Sequence, residues 1–503
     1  MSANPFVRLH DSDSVAVATS DLPAGTHLAD LGVTLTTEIA TGHKFATMEI
    51  ATGAPVLKYG HFIGVATQNI VPGAHVHTHN LTSVKPDKSM PVPKPVWTEE
   101  REEHFFQGFR RPTGKAASRN YVGVISTVNC SATVVRKITE RFAGDTMKDW
   151  PHVDGVVPIT HTTGCGLPSK GPGIELLQRT LGGFIAHPNF AGVLVVGLGC
   201  EVNEVDSLLT SQGLEPGQRL RTLTIQECGG TLKTVEKAVE IVRELLDDAE
   251  TARRETISAA ELILGLQCGG SDAFSGITAN PALGHAADKL VRAGGTVILA
   301  ETPEIYGAES LLFERAETPR VREDLQRLLD WWEEYTAKNG ATLDSNPAPG
   351  NIAGGITTIL EKSLGAVAKS GSSPLRGVCQ YAERVDHRGF LFMDSPGYDP
   401  FSVTGEIAAG ANIVCFTTGR GSVFGAKPVP SLKLASNSAM AQRMADDIDT
   451  DCGGILESRE TLAERGAKIF ELILQTATGR RSASENSGLG DLEFVPWQVG
   501  AVM

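Results

Sequence analysis

Three segments, YVGVISTVNC (residues 121–130), GVVPITHTTGC (155–165) and GVLVVGLGC (192–200), repeat one pattern: a short apolar run, small or polar residues, then a cysteine. Short runs rich in valine and isoleucine read as strands. Between them lie ATVVRKITERFA and ELLQRTLGGFIAH, whose apolar residues recur at helical spacing. Cys130, Cys165 and Cys200 stand 35 residues apart, about one strand-plus-helix unit. That alternation predicts a parallel sheet flanked by helices, with the strands' C-terminal ends on one rim, where open α/β sheets bind ligands.

The pattern extends in both directions. RLRTLTI and TVEKAVEIVRELLDDA continue it, and a charged, helix-prone join, DDAETARRETISAAE, leads to ELILGLQ, PALGHAADKLVRAG, TVILAE and the acidic helix RVREDLQRLLDWWEEYTAK. Then come GFLFMDS and ANIVCFTTG, the latter running into the glycine-rich loop TTGRGSVFG. Residues 5–82 differ, with short period-two runs broken by glycine and proline and no amphipathic helix, so a small all-β module is expected there. KPDKSMPVPKPVW, with three alternate prolines, reads as an extended linker. The expected class is α/β multidomain: an all-β module (1–84), a linker (85–104) and two α/β domains with mainly parallel sheets (105–250 and 251–503).

Composition narrows the function. A chain of 503 residues exceeds one ordinary core. Its net charge of −14 and lack of a dense basic stretch argue against nucleic-acid or anionic-membrane partners. No apolar stretch reaches a membrane span and the first residues lack an apolar leader, so a cytoplasmic location is expected. Eight cysteines are too dilute for a disulfide scaffold, which leaves packing, catalysis or metal.

Cys268, ending LGLQC, joins the other three at a strand exit beside glycine. Singly, each reads as a small buried residue; together they suggest a soft-metal site assembled from distant loops. Without a CxxC pair, a zinc ribbon is disfavoured. His43 and Lys44 follow a turn glycine, His75, His77 and His79 alternate along one predicted strand, and His161 shares a strand exit with Cys165. These imidazoles are candidate ligands, bases or plain surface groups. Glu301 and Glu304 follow the strand TVILA, although Glu304 equally suits a helix N-terminus. Ser271 and Asp272 lie in a glycine-flanked loop, and Lys369 and Arg420 are cations in glycine- or serine-rich loops suited to a carboxylate. No phosphate loop, GxSxG elbow or dinucleotide fingerprint occurs.

Taken together, TGHKFA, KYG and HVHTHN, then RNYVGVISTVNC, HTTGCG and GLGCE, then QCGGSDAFSGITANP, ETPEIYGAE, NPAPGNIAGGITTILEKSLGAVAKSGSS and FTTGRGSVFGAKPVP resemble the altronate/galactarate dehydratase family over residues 10–449. The resemblance implies an N-terminal β-clip module of the SAF type, a two-part dehydratase body, dependence on ferrous iron with Mn2+ as a substitute, and a homo-oligomer. It implies a hydro-lyase converting an aldonic or aldaric acid to its 2-dehydro-3-deoxy product. HVHTHN and ETPEIYGAE look more like the altronate branch, SDAFSG and PNF like the galactarate branch, and some relatives cleave sulfonated hydroxy acids.

Within that reading, iron sits among Cys130, Cys165, Cys200 and Cys268, as a single ion or an iron–sulfur cluster. His43, Lys44 and His161 are base and acid candidates, which requires the β-clip module to fold over the body's rim. Arg420 and Lys369, with Asp272 and Ser271, bind substrate, and Glu301 orients a hydroxyl or the metal. The competing non-enzymatic reading is a carbohydrate-binding protein with structural zinc, which predicts a closed tetrahedral site.

Overall fold

The computed structural model describes residues 4–84, 97–98, 100–343 and 346–500, so most of the expected linker lies outside the described residues. Residues 4–84 are all-β. One antiparallel sheet orders Phe6–Val7, Val15–Ala18, Lys44–Ala46 and His75–Val76; another joins Pro55–Lys58, His61–Ala66 and Leu81–Thr82. Val15, Ala46, Ile50, Val56, Ile63 and Val76 form a shared core. Such small sheets turn tightly. At Gly73 (φ 81°) any Cβ would lie 2.1 Å from the Thr34 carbonyl, so only glycine fits.

The quoted cysteine-ending segments form a four-stranded parallel sheet, in the order Gly155–Ile159, Tyr121–Ser126, Phe190–Gly197, Leu220–Thr224. Alternation sorts its faces. Val122, Val124, Leu194 and Val196 pack on helices Asn129–Thr139 and Thr231–Glu250. Ile125, Val193 and Val195 face helix Pro172–Ile185 instead.

A seven-stranded parallel sheet follows, ordered Leu375–Cys379, Gly389–Met393, Thr296–Leu299, Ile263–Cys268, Ile413–Thr418, Ser431–Ala435, Thr450–Asp451. Helices Ala279–Arg292 and Leu462–Ala477 share the core on one face. Helix Asp399–Ala409 covers the other and lies on Pro172–Ile185, so close that a Cβ on Gly183 would meet the Ala408 carbonyl at 2.3 Å. Ahead of that contact they are joined through Tyr381, whose hydroxyl donates to the Phe401 carbonyl (2.8 Å) near the start of one helix and whose carbonyl accepts from Arg179 (3.1 Å), midway along the other. The two helices therefore run parallel. Each leaves the C-terminal rim of its own sheet, so the layers stack sheet–helix–helix–sheet with both rims on the same side.

The helix-prone join behaves differently from its sequence signal. After helix Thr231–Glu250 ends, Arg254–Ser258 is a strand, antiparallel to Phe105–Arg110. Thr256 and Ile257 favour extension once an edge is available, and the helical bias of the flanking charges loses to that pairing. Among the described residues no helix is long and apolar enough to cross a membrane.

Candidate functional site

Strand Ile263–Cys268, central in the large sheet, delivers the buried Cys268 to the C-terminal rim. The adjacent strand Thr296–Leu299 delivers Glu301 and Glu304. Glu301 has φ 75°, a costly backbone for a residue with a Cβ. Ser395 holds it there: its hydroxyl accepts from the Glu301 amide (3.0 Å) and its carbonyl from the Thr302 amide (3.0 Å). Cys268, Glu301 and Glu304 bring one donor atom each within 4.8 Å of one another. Both Glu301 carboxylate oxygens are buried without a hydrogen-bond partner.

Two lysines from one helix, Ile359–Ala368 and its C-cap, close this group. Lys362 pairs with Glu304, and the Lys369 ammonium lies 3.0 Å from the Cys268 sulfur. Burial and the neighbouring Glu304 charge push the Glu301 carboxyl well above the usual carboxylate range. Burial would also raise Glu304, but Lys362 and Lys369 hold it below. Burial pushes the Cys268 thiol up to about 11, so Lys369 faces a thiol until something else displaces its proton. The donor set fits a divalent cation: Glu301 has no other buried partner, and thiolate with carboxylates suits a borderline first-row metal.

The β-module docks over this rim. His77 meets the Ile352 carbonyl (3.1 Å), Thr358 donates to the Ile63 carbonyl (2.7 Å), and Lys44 donates to the Gly355 carbonyl (2.7 Å). Lys44 and Lys58 then share the Glu361 carboxylate, at 2.9 and 2.8 Å. With one anion for two cations, burial lowers Lys44 to about 8, while the shared carboxylate keeps Lys58 above the ordinary lysine range despite its burial. Tyr59 extends into a small cavity lined also by Cys268, Ser271, Asp272, Glu361 and Lys362. His43 lies in the seam, with its Nδ1 2.9 Å from His75 Nε2 and its ring beside those of His75 and His77, while His79 lies against His75.

The other predicted residues distribute unevenly. Asp272 accepts from Ser275 (2.9 Å), Ser436 (2.8 Å), Asn437 (3.0 Å) and the Phe274 amide (3.1 Å), so it chiefly shapes its own loop. Asn351 donates to the Ser271 carbonyl (2.8 Å), tying Ser271 to the same rim. Arg420 is exposed beside Gly270, its amide donating to the Gly270 carbonyl (2.8 Å) and its guanidinium without a hydrogen-bond partner among the described residues. Lys369 is buried against Cys268, not open to solvent. The four cysteines form no single group. Cys130, Cys165 and Cys200 are exposed on the smaller sheet's rim, two helical layers from Cys268. His161 is buried there too, with both ring nitrogens engaged by the Ser126 carbonyl (3.1 Å) and the Thr163 amide (3.3 Å), and burial lowers it to about 4.

Sequence reasoning left out Lys362, Glu361, Lys58 and Tyr59 as functional residues. The signal was present in ILEKSLGAVAK, where Lys362 and Lys369, seven residues apart, return to one helical side with Glu361 next to them, and in KYG of the β-module.

Comparison with known proteins covers nearly the whole chain. Residues 4–84 match the altronate/galactarate dehydratase SAF domain, 108–250 the second domain of D-galactarate dehydratase/altronate hydrolase, and 259–502 the C-terminal domain of D-galactarate/altronate dehydratase. Altronate dehydratase of Escherichia coli strain K12 is 34% identical over 97% of this chain and 98% of its own length. The altronate dehydratase of Bacillus subtilis strain 168 is 36% identical over the same shares. Galactarate dehydratase (L-threo-forming) of E. coli K12 is 35% identical over 96% of this chain and 95% of its own length.

Proposed function

This chain belongs to the altronate/galactarate dehydratase family, and from that premise we propose that it is a hydro-lyase converting a six-carbon sugar acid, altronate first and galactarate next, to its 2-dehydro-3-deoxy acid. The observation that carries the site assignment is the unpartnered, buried Glu301 carboxylate beside Cys268, Glu304 and two lysines. Removing a proton α to a carboxylate needs that carboxylate's charge neutralised and a group ready to take the proton. Cys268, Glu301 and Glu304 would hold ferrous iron, whose Lewis acidity supplies that neutralisation. Arg420 offers its free guanidinium to the substrate carboxylate from the same rim. Lys362 and Lys369 keep the pocket cationic, which favours an enolate-like charge. Tyr59 reaches the pocket from the β-module, so substrate closes between module and body.

His43 and Lys44 stand one step behind, at the seam that fixes the lysine-bearing helix, and Lys44, lowered to about 8, is the better proton carrier of the two. The test is a keto-acid assay on anaerobically purified protein with altronate, galactarate and sulfolactate, with and without ferrous iron. Failure to release a 2-keto product from altronate or galactarate would overturn the reading; turnover of sulfolactate alone would reassign the leaving group.

A further inference from the structure

Besides its lysines and histidines, the β-module brings a phenol to the rim around Cys268. Tyr59 lies in the turn between strands Pro55–Lys58 and His61–Ala66. Its backbone is left-handed, at φ 62°, which costs a residue with a Cβ about 1–3 kcal/mol. The buried Asp13 carboxylate enforces that backbone by accepting from the amides of Tyr59 (3.1 Å) and Gly60 (2.7 Å). Glycine at this position would make the same turn without strain, so the turn itself does not call for tyrosine. What the strain achieves is the aim of the ring. The ring crosses to the body and packs against Ala273, Phe274 and Ile277. Its oxygen ends at Gly276, where a Cβ would lie 2.7 Å from the hydroxyl and 3.1 Å from Gly365 of the lysine-bearing helix. Phenylalanine would satisfy the packing; the two glycines leave room for the oxygen.

A departing hydroxyl needs a proton, and the groups around the cavity differ in their ability to give one. Tyr59 shares that cavity with Cys268, Ser271, Asp272, Glu361 and Lys362. Lys362 is paired with Glu304, Asp272 accepts from its own loop, and Glu361 is held anionic between Lys44 and Lys58. Cys268 offers its sulfur to the cation site, and a serine hydroxyl is a far weaker acid than a phenol. Tyr59 is therefore the neutral group best suited to donate. Burial raises its pKa, so the phenol keeps its proton at neutral pH, and the Lys58 charge opposes that rise by favouring the phenolate. The Lys58 ammonium stands 4.6 Å from the ring centroid, so a phenolate formed in turnover has a cation beside it.

We propose that Tyr59 is the general acid of the elimination, donating its phenolic proton to the C3 hydroxyl as that group departs. This role rests on the hydro-lyase reading of the site. The base takes the C2 proton, the electron pair of that bond forms the C2–C3 double bond, the C3–O bond breaks, and the oxygen leaves as water with the Tyr59 proton. One proton returned from the base to the phenolate restores both groups, and the buried contacts of Lys44 and Lys58 with Glu361 connect the two sides of the site. The experiment compares the full chain with Tyr59→Phe, both supplied with ferrous iron, on altronate, or on galactarate if that is the acid the parent turns over, and on the 3-deoxy-3-fluoro analogue of the same acid. Fluoride departs without a proton. For Tyr59→Phe, kcat on the natural acid is expected to fall at least about a hundredfold with KM changed less than about threefold, while turnover of the fluoro analogue stays within about fivefold of the parent's. Circular dichroism and thermal midpoints confirm that the variant is folded. Equal losses on the two substrates would make Tyr59 a packing group, and a loss below about threefold on the natural acid would assign the proton to another donor. Either result overturns the proposal and leaves the hydro-lyase reading standing, because the parent still turns over. A parent that forms no keto acid from altronate or galactarate removes the reading and the proposal together.

Discussion

Glu301 combines a left-handed backbone, full burial and two unpartnered oxygens, three costs that a purely structural residue would shed. Glu301→Gln removes the ionisable oxygen while keeping the shape. Stability is expected to hold or rise by about 1 kcal/mol, while kcat falls on the order of 10²–10⁴-fold; urea unfolding and steady-state kinetics read the two together. Glu406 is the second such carboxyl. Its oxygens are also unpartnered, and a Cβ on Gly265 would lie 2.6 Å from one of them, so only glycine in the central strand admits it. Burial, against the pull of Lys369, raises Glu406 to about 8. A raised acid binds its proton more tightly folded than unfolded, so stability falls as pH rises from the ordinary carboxylate range to about 8. Glu406→Gln should flatten that slope and leave the variant more stable than the parent at pH 8.5, by on the order of a few kcal/mol. The same loss of unfolding free energy between pH 5.5 and 8.5 in parent and variant, read from denaturant titrations, would contradict it.

At the scale of the element, helix Ile359–Ala368 with its C-cap works as one clamp, with Glu361 toward the β-module and Lys362 and Lys369 toward the rim. Removing the anion leaves two buried ammonium groups. Glu361→Gln should cost about 3–5 kcal/mol, whereas Lys44→Met, which leaves a one-to-one pair with Lys58, should cost less than about 1 kcal/mol and act on turnover instead; thermal unfolding of both variants checks this contrast. Because Lys44 and Lys58 hold the Glu361 carboxyl far below its ordinary value despite burial, the clamp's contribution is whole above about pH 4.5 and fades as pH falls below it.

The same helix shows what was legible in the sequence. Strands ending in cysteine or ETPE announced themselves, because parallel buried strands read as apolar runs. Helices Ile359–Ala368 and Asp399–Ala409 did not, being buried on most sides with too little polar contrast to show a period. The candidate site was half legible for a related reason. Position at a strand exit is visible in sequence, so Cys268 and Glu301 could be named. Which exits share a sheet is fixed by long-range packing, which the strand pattern does not carry, so sequence alone does not separate Cys130, Cys165 and Cys200 from Cys268 on the other sheet.

At the scale of the molecule, the two parallel sheets are not independent. Ile125, Val195 and Phe184 of the smaller share one core with Val403, Ile407, Val414 and Phe416 of the larger. Arg119, just before the first quoted strand, makes a bidentate pair with Glu485 (2.6 and 2.8 Å) and also donates to the Thr476 and Arg480 carbonyls (2.8 and 2.9 Å). The chain's last helices are thus bolted to the opening of the smaller sheet. Two domains that share a core and a buried ion pair should melt as one unit. Glu485→Ala strips the buried guanidinium of its anion and should cost about 3–5 kcal/mol, lowering a single transition for both sheets. Tryptophan fluorescence and calorimetry report on this together: Trp150 lies in the smaller sheet's helical layer, and Trp332 and Trp497 lie in the shared core. Coincident midpoints that shift in step in Glu485→Ala are the expected result. A variant in which calorimetry splits into two peaks, with only one tracked by fluorescence, would show that the sheets fold separately and that the shared core is an interface between independent domains.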